Sequence, residues 1–149
     1  EIGIRILSNT SCVTECNGFP IRIVGIDDPF MGCDDVEEAF SEVGEEETVF
    51  VLSHSPEVYK EAAKRRAALV LCGHTHGGQI RIPLVGALVT RCPVPRKMAR
   101  GFTRIKDTTV FVSPGMGTSP NLMLRFLCPP EVTLLRVRFE PVDCVGRRP

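Results

Sequence analysis

The sequence predicts an α/β fold built on a parallel sheet, because two short continuous apolar runs flank one helical segment and turn signals bound all three. Thr48-Val49-Phe50-Val51-Leu52 and Ala68-Leu69-Val70-Leu71-Cys72 are the runs. Their β-branched and aromatic content is that of strands buried on both faces. Between them, Ser55-Pro56-Glu57 reads as a helix start, with Ser as cap, Pro at the first helical position and an acid in the first turn. Val58, Tyr59, Ala62 and Ala63 supply its inner face, and Lys64-Arg65-Arg66 complements the dipole near its end. Strand, helix and strand in this order form a right-handed βαβ unit with two parallel strands.

The other elements follow from local signals. Ile21-Arg22-Ile23-Val24-Gly25-Ile26 alternates as a strand does, and Asp27-Asp28-Pro29 ends it. Residues 34–43 read as an amphipathic helix. Asp34 or Asp35 caps it, Val36, Ala39, Phe40 and Val43 line one face, and Gly44 closes it. Residues 109–112 and 132–139 read as strands separated by Pro/Gly-rich loops over 93–100 and 114–130, and Arg147-Arg148-Pro149 as a frayed end. No repeat or linker divides the 149 residues, which form one domain over 1–149.

Composition narrows the function classes. Apolar residues make up 43% and charged residues 24%, a globular balance that argues against disorder. No apolar run approaches the ~18 residues of a membrane-spanning helix, and no signal-peptide pattern opens the chain. The chain begins at Glu1 without an initiator Met, as a piece of something longer would. One Tyr, no Trp and no reading motif leave no nucleic-acid partner expected. Net charge is zero but unevenly spread, with fourteen acids against six bases in residues 1–80 and four acids against twelve bases in 81–149. The basic half either neutralises the acidic half within one fold or faces phosphates or an anionic surface. Seven cysteines without a C-x-x-C pair indicate neither a zinc ribbon nor a disulfide framework, and favour a reducing compartment.

The three histidines carry the chemistry. His54 lies just beyond the first strand of the βαβ unit and His74 just beyond the second. Parallel neighbours stand about 4.8 Å apart and end on the same sheet edge, where open α/β sheets bind their ligands. His76, two residues on, would in extended backbone present its ring on the same side as His74, about 6.6 Å away. Such a trio can bracket two metal ions ~3.5–4 Å apart or close on one. Gly73, Gly77 and Gly78 let the backbone crowd the site. Three neutral imidazoles do not suffice for two divalent ions, which also need carboxylates. Asp27 and Asp28 are local candidates or simply a turn. Ser113-Pro114-Gly115-Met116-Gly117-Thr118-Ser119 is either a plain turn or a phosphate cradle of backbone N–H groups. Arg81, Arg91, Arg96, Lys97, Arg100 and Arg104 form a basic rim, either solvated or facing a nucleotide diphosphate or anionic headgroups.

Ser53-His54-Ser55-Pro56 and Gly73-His74-Thr75-His76-Gly77-Gly78-Gln79 resemble the last two metal motifs of the calcineurin-like metallophosphoesterases. Ile80-Arg81-Ile82-Pro83-Leu84, Gly25-Ile26-Asp27-Asp28 and Gly115-Met116-Gly117-Thr118-Ser119 resemble a branch related to UDP-2,3-diacylglucosamine diphosphatases, whose members are often membrane-associated. The resemblance runs from about Gly3 to Phe139 and implies an αββα sandwich of which this chain is the C-terminal half. By it, His54 and His74 ligate the second of two divalent ions (Mn, Zn or Fe) and His76 the first. Gly77, Gly78 and Arg81 are its substrate-binding candidates. The family motifs D-x-H, G-D-x-x-D and G-N-H-D/E, which carry the remaining ligands and the catalytic acid, do not occur in these 149 residues. The expected activity of the intact protein is hydrolysis of a phosphoester or diphosphate bond, on a phosphorylated small molecule or a lipid-linked nucleotide. The membrane surface is a further expected partner, and the isolated chain is expected to be inactive. The alternative is a non-catalytic metal- or phosphate-binding module. Localisation, membrane-associated or cytoplasmic, stays open because an anchor region is not part of this sequence.

Overall fold

A computed structural model describes residues 3–120 and 122–139. Its centre is a six-stranded sheet in the order β1-β2-β3-β4-β8-β7. The strands are β1 (Thr10–Cys16), β2 (Phe19–Ile26), β3 (Val49–Ser53), β4 (Leu69–Cys72), β7 (Gly101–Ile105) and β8 (Thr108–Val112). The four inner strands β2, β3, β4 and β8 are mutually parallel, and the edge strands β1 and β7 are antiparallel to their neighbours. A separate hairpin pairs β5 (Arg81–Ile82) with β6 (Gly86–Ala87).

Register fixes the core. Val24, Val51, Val70 and Val110 are direct partners across the four parallel strands, and none of them is exposed. Fully burying each contributes about 1.5–3 kcal/mol. Period-two alternation puts Ile26, Val49, Cys72 and Val112 on the same face. Helices α1 (Val36–Ala39) and α2 (Tyr59–Lys64) cover that face with Ala39 and Ala62, and a 3-10 turn over Arg96–Ala99 adds Met98. On the opposite face Phe50, Leu69 and Leu71 are half-buried and Leu52 is exposed. There a cavity of ≈ 550 Å³ lies between Phe50, Leu69 and Phe102 and the segment 133–138.

The α/β fold and the βαβ unit stand as read from the sequence, and four local expectations need correction. The helix over 34–43 shrinks to the single turn of α1, capped by the Asp35 carboxylate accepting from Glu38 N at 2.9 Å. Three acids and no base of its own lie in or next to that turn (Asp35, Glu37, Glu38), and the cation near its C-terminal end comes from beyond α2, where Arg65 stands over the Phe40 ring at 5.1 Å. The second helix opens with a 3-10 turn over Pro56–Val58, and the Ser55 side chain makes no capping bond. Residues 132–139 form no strand of the sheet, whose edge beside β8 is held by β7. Strand β1, which the sequence reading left unassigned, pairs along the whole of β2. The expected frayed end at 147–149 and Cys144 lie outside the described residues.

The six described cysteines are all free thiols. Burial, then the neighbouring Cys92, pushes the Cys72 thiol up to about 12. At pH 8 a maleimide is expected to label exposed Cys16 and Cys33 rapidly and Cys72 only on unfolding. Labelling of native Cys72 at their rate would contradict its burial. Met98, 1% exposed, is the largest fully buried side chain among the described residues. Met98→Ala is expected to lower unfolding stability by about 2–5 kcal/mol in urea titrations. Leu84→Ala, at a fully exposed position, is expected to stay within about 0.5 kcal/mol.

Candidate metal centre

Both ends of the βαβ unit open on one sheet edge. Leu52 of β3 pairs with Leu71 of β4, and the ladder continues one step further as Gly73 N donates to His54 O at 3.0 Å. His54 and His74 therefore leave adjacent strands almost level. Their rings meet edge to face, with His74 Nδ1 3.1 Å from His54 Nε2. Phe30 packs against the His74 ring at 4.6 Å between centroids. Asp28 comes from the end of β2 with a carboxylate oxygen 4.0 Å from His54 Nε2. The Asp-Asp-Pro segment is also a turn, since Asp28 accepts from Phe30 N at 3.0 Å and caps a 3-10 turn over Pro29–Met31.

The backbone beyond His74 is not extended. His74, His76 and Gln79 have φ of 66°, 49° and 47°, and Gly77 and Gly78 have 68° and 81°. The expected 6.6 Å spacing of two rings on one side is replaced by a coil that turns through His76–Gly78. Each left-handed non-glycine residue costs on the order of 1–3 kcal/mol and persists only where its surroundings over-determine it. Thr75 is one brace: buried, it donates to Ala99 O at 2.7 Å and accepts from Gly77 N. Gln79 is another, 6% exposed, with its amide donating to Leu122 O at 2.6 Å and Leu124 O at 3.2 Å and accepting from Ser119 N at 2.6 Å. Glycine is required at 77 and 78 for space as well as for φ. A Cβ on Gly77 would lie 2.6 Å from Cys128 Sγ, and one on Gly78 would strike Ala87 Cβ.

Burial and neighbouring groups disfavour protonation of His74 and His76. Burial, then His54, holds His74 below the ordinary histidine value, and burial, then Arg125, does the same for His76. Neutral imidazole is the ligand form. His74 Nε2 is buried, with the Arg91 backbone beside the ring. Two nitrogens on one tetrahedral ion at about 2.0–2.1 Å stand roughly 3.3 Å apart, so an ion held by His54 and His74 would take the place of the 3.1 Å contact they make with each other. The pair alone supplies two donors. It is not a complete site, since no group of three or more His, Cys, Asp or Glu residues among the described ones is gathered closely enough to hold a metal.

A cavity of ≈ 220 Å³ adjoins His74, lined also by His76, Gln79, Arg91, Ser119 and Leu122 among others. Arg91 reaches Ser119 Oγ at 2.8 Å. Arg81 instead donates to Gly77 O at 3.0 Å, and Gly77 and Gly78 are buried. Of the remaining basic rim, Arg100 pairs with Glu131 at 2.8 Å and Arg104 lies 3.9 Å from Asp107. In the 113–119 loop, Gly115 N is satisfied by Ser113 Oγ at 3.2 Å, and the carbonyls of Pro114, Gly115 and Gly117 converge on Arg125. Sequence reasoning missed Arg125. Its signal is a lone arginine inside Leu122-Met123-Leu124-Arg125-Phe126-Leu127.

Sequence comparison finds relatives along most of the chain. The metallophosphoesterase YkuE of Bacillus subtilis is 32% identical over 122 residues, covering 82% of this chain and 42% of its own length. The phosphodiesterase YaeI of Escherichia coli is 31% identical over 136 residues, covering 91% and 48%. The UDP-2,3-diacylglucosamine pyrophosphatase LpxG of Chlamydia trachomatis is 29% identical over 129 residues, covering 81% and 38%. The chain thus spans half or less of the length of these relatives. No family model and no solved structure matches it.

Replacing Gln79 by Ala leaves a buried N–H and two carbonyls without their partner. The expected loss is about 1–3 kcal/mol of unfolding stability, with faster hydrogen exchange at Ser119. Unchanged exchange there would mean that the amide does not brace the loop.

Proposed function

We propose, for a chain related over most of its length to the metallophosphoesterases, that it carries the histidine donors of a metal-dependent phosphoester or diphosphate hydrolase. The observation that supports this most strongly is the convergence of His54 and His74 at 3.1 Å on the sheet edge. In this reading the chain is the C-terminal portion of the catalytic domain. His54 and His74 ligate one divalent ion and His76 a second. Carboxylates from elsewhere in the intact protein complete both sites. Such ions, when bound, would supply Lewis acidity and a nucleophilic water. This chain's own part is to hold neutral imidazoles in fixed orientation and to line the phosphate cavity. Arg91 there offers a guanidinium suited to phosphate oxygens.

The finer substrate is a nucleotide diphosphate carrying an apolar tail. The ≈ 220 Å³ cavity accommodates a phosphoryl group but not a whole lipid nucleotide. Leu122 of its lining is followed by Met123 and, three residues on, Phe126, both exposed, an apolar segment suited to acyl chains or to the membrane surface that presents them. Among the described residues no helix is long and apolar enough to cross a membrane. The rival reading, a non-catalytic metal- or phosphate-binding module, is favoured by the incomplete ligand set.

The test uses the full-length protein with Mn²⁺. It is expected to hydrolyse bis(p-nitrophenyl) phosphate, to lose activity to a chelator and to regain it on adding metal. His74→Ala is expected to cost more than the roughly 10–100-fold of an outer-shell change and to lower bound metal. A His74→Ala protein with full metal content and rate overturns the assignment. Folded full-length protein that binds metal without turning over any phosphoester supports the module. Faster turnover of UDP-2,3-diacylglucosamine than of its deacylated form is the outcome expected for the apolar segment.

A further inference from the structure

We infer that Arg125 is the positioning residue of the histidine loop, holding the His76 backbone and the 114–117 loop against each other so that His76 is presented to its ion. The inference rests on the metal reading above.

Three observations carry it. First, the side chain is committed to backbone oxygen. Nε donates to Gly117 O at 2.9 Å, and Nη2 donates to Pro114 O at 2.7 Å, Gly115 O at 3.0 Å and Gly117 O at 2.5 Å. Nη1 reaches His76 O at 3.4 Å, Cys128 O at 3.3 Å and Pro129 O at 3.5 Å. Six carbonyls share the five N–H groups, and no ion pair to Arg125 occurs among the described residues. Such a guanidinium has no donor left for phosphate, which separates its role from that of a substrate-binding arginine. Second, the carbonyls belong to different parts of the fold. His76 follows β4, residues 114–117 follow β8, and Cys128 and Pro129 lie further along the chain. The 114–117 loop also walls the histidine ring, because a Cβ on Gly117 would lie 3.8 Å from His76 Cε1. Third, the segment that delivers Arg125 is inverted. Met123, Leu124, Phe126 and Leu127 face solvent while the charged residue turns inward. Main-chain bonds hold it so, with Phe126 N donating to Gln79 O and Arg81 N to Phe126 O.

The geometry is specific to a planar fork. Lysine offers one compact ammonium and cannot span six carbonyls set around a plane. His76, in the left-handed region at φ 49°, depends on such external bracing.

The experiment is Co²⁺ binding by the full-length protein, read by equilibrium dialysis and by the visible d–d absorption of bound Co²⁺. Unfolding midpoints are measured alongside. Arg125→Lys is expected to weaken Co²⁺ binding by roughly 10–100-fold, as outer-shell changes do, and to alter the absorption bands. KM at saturating metal is expected to stay as it is while kcat falls. Non-denaturing guanidinium added to Arg125→Gly is expected to restore part of the affinity. Should Arg125→Gly fail to fold, Arg125→Lys decides alone by its spectrum. Wild-type spectra and affinity in a folded Arg125 variant overturn the inference, as does a rise confined to KM, which would mark a phosphate-binding residue. If the unaltered protein and His74→Ala bind Co²⁺ alike, the metal reading itself falls, a result independent of any Arg125 variant.

Discussion

Everything at the candidate centre depends on the parallel register of β3 with β4. Val51 faces Val70 within a continuous row from Val24 to Val110, fully enclosed between sheet and helices. A slip of one residue would turn that row away from the helices, and the lost burial makes this prohibitive. The same register brings His54 level with Gly73 and so sets the two imidazoles in contact. Apolar packing thereby fixes the distance between two polar groups twenty positions apart in sequence.

The loop beyond β4 is held differently. Three of its non-glycine residues adopt left-handed backbone conformations, and packing alone does not explain why they stay there. Each is braced by a polar side chain committed to main-chain atoms: Thr75 to Ala99 O, Gln79 to the 119–124 segment, and Arg125 to the carbonyls around His76. Such bracing orients without competing for a ligand, because carbonyls rather than the imidazole nitrogens take up the donors. Burial, with Arg125 second, also disfavours protonation of His76.

Much of this was legible beforehand. Short apolar runs and a Ser-Pro-Glu start marked the βαβ unit, and the histidines sat just past its strands. What escaped reading had identifiable reasons. Thr10–Cys16 is polar along most of its length and exposed on an edge, so period-two patterning gave no signal, and only pairing with β2 makes it a strand. Residues 132–139 are rich in apolar and β-branched side chains and read as a strand, yet β7 already holds the neighbouring edge of β8. Arg125 was invisible because an arginine in an apolar hexamer reads as a solvated charge, and its carbonyl partners come from loops brought together only by the fold. Asp28 was weighed as a turn or a ligand candidate, and local geometry puts it in a turn with its carboxylate near His54 as well.

The most direct test of the central claim is an anomalous diffraction map of the full-length protein crystallised with Mn²⁺ or Zn²⁺. The account predicts a metal peak within about 2.0–2.2 Å of nitrogens from both His54 and His74, with their mutual contact opened to admit it. Metal bound elsewhere, with His54 and His74 still hydrogen-bonded to each other, would contradict it.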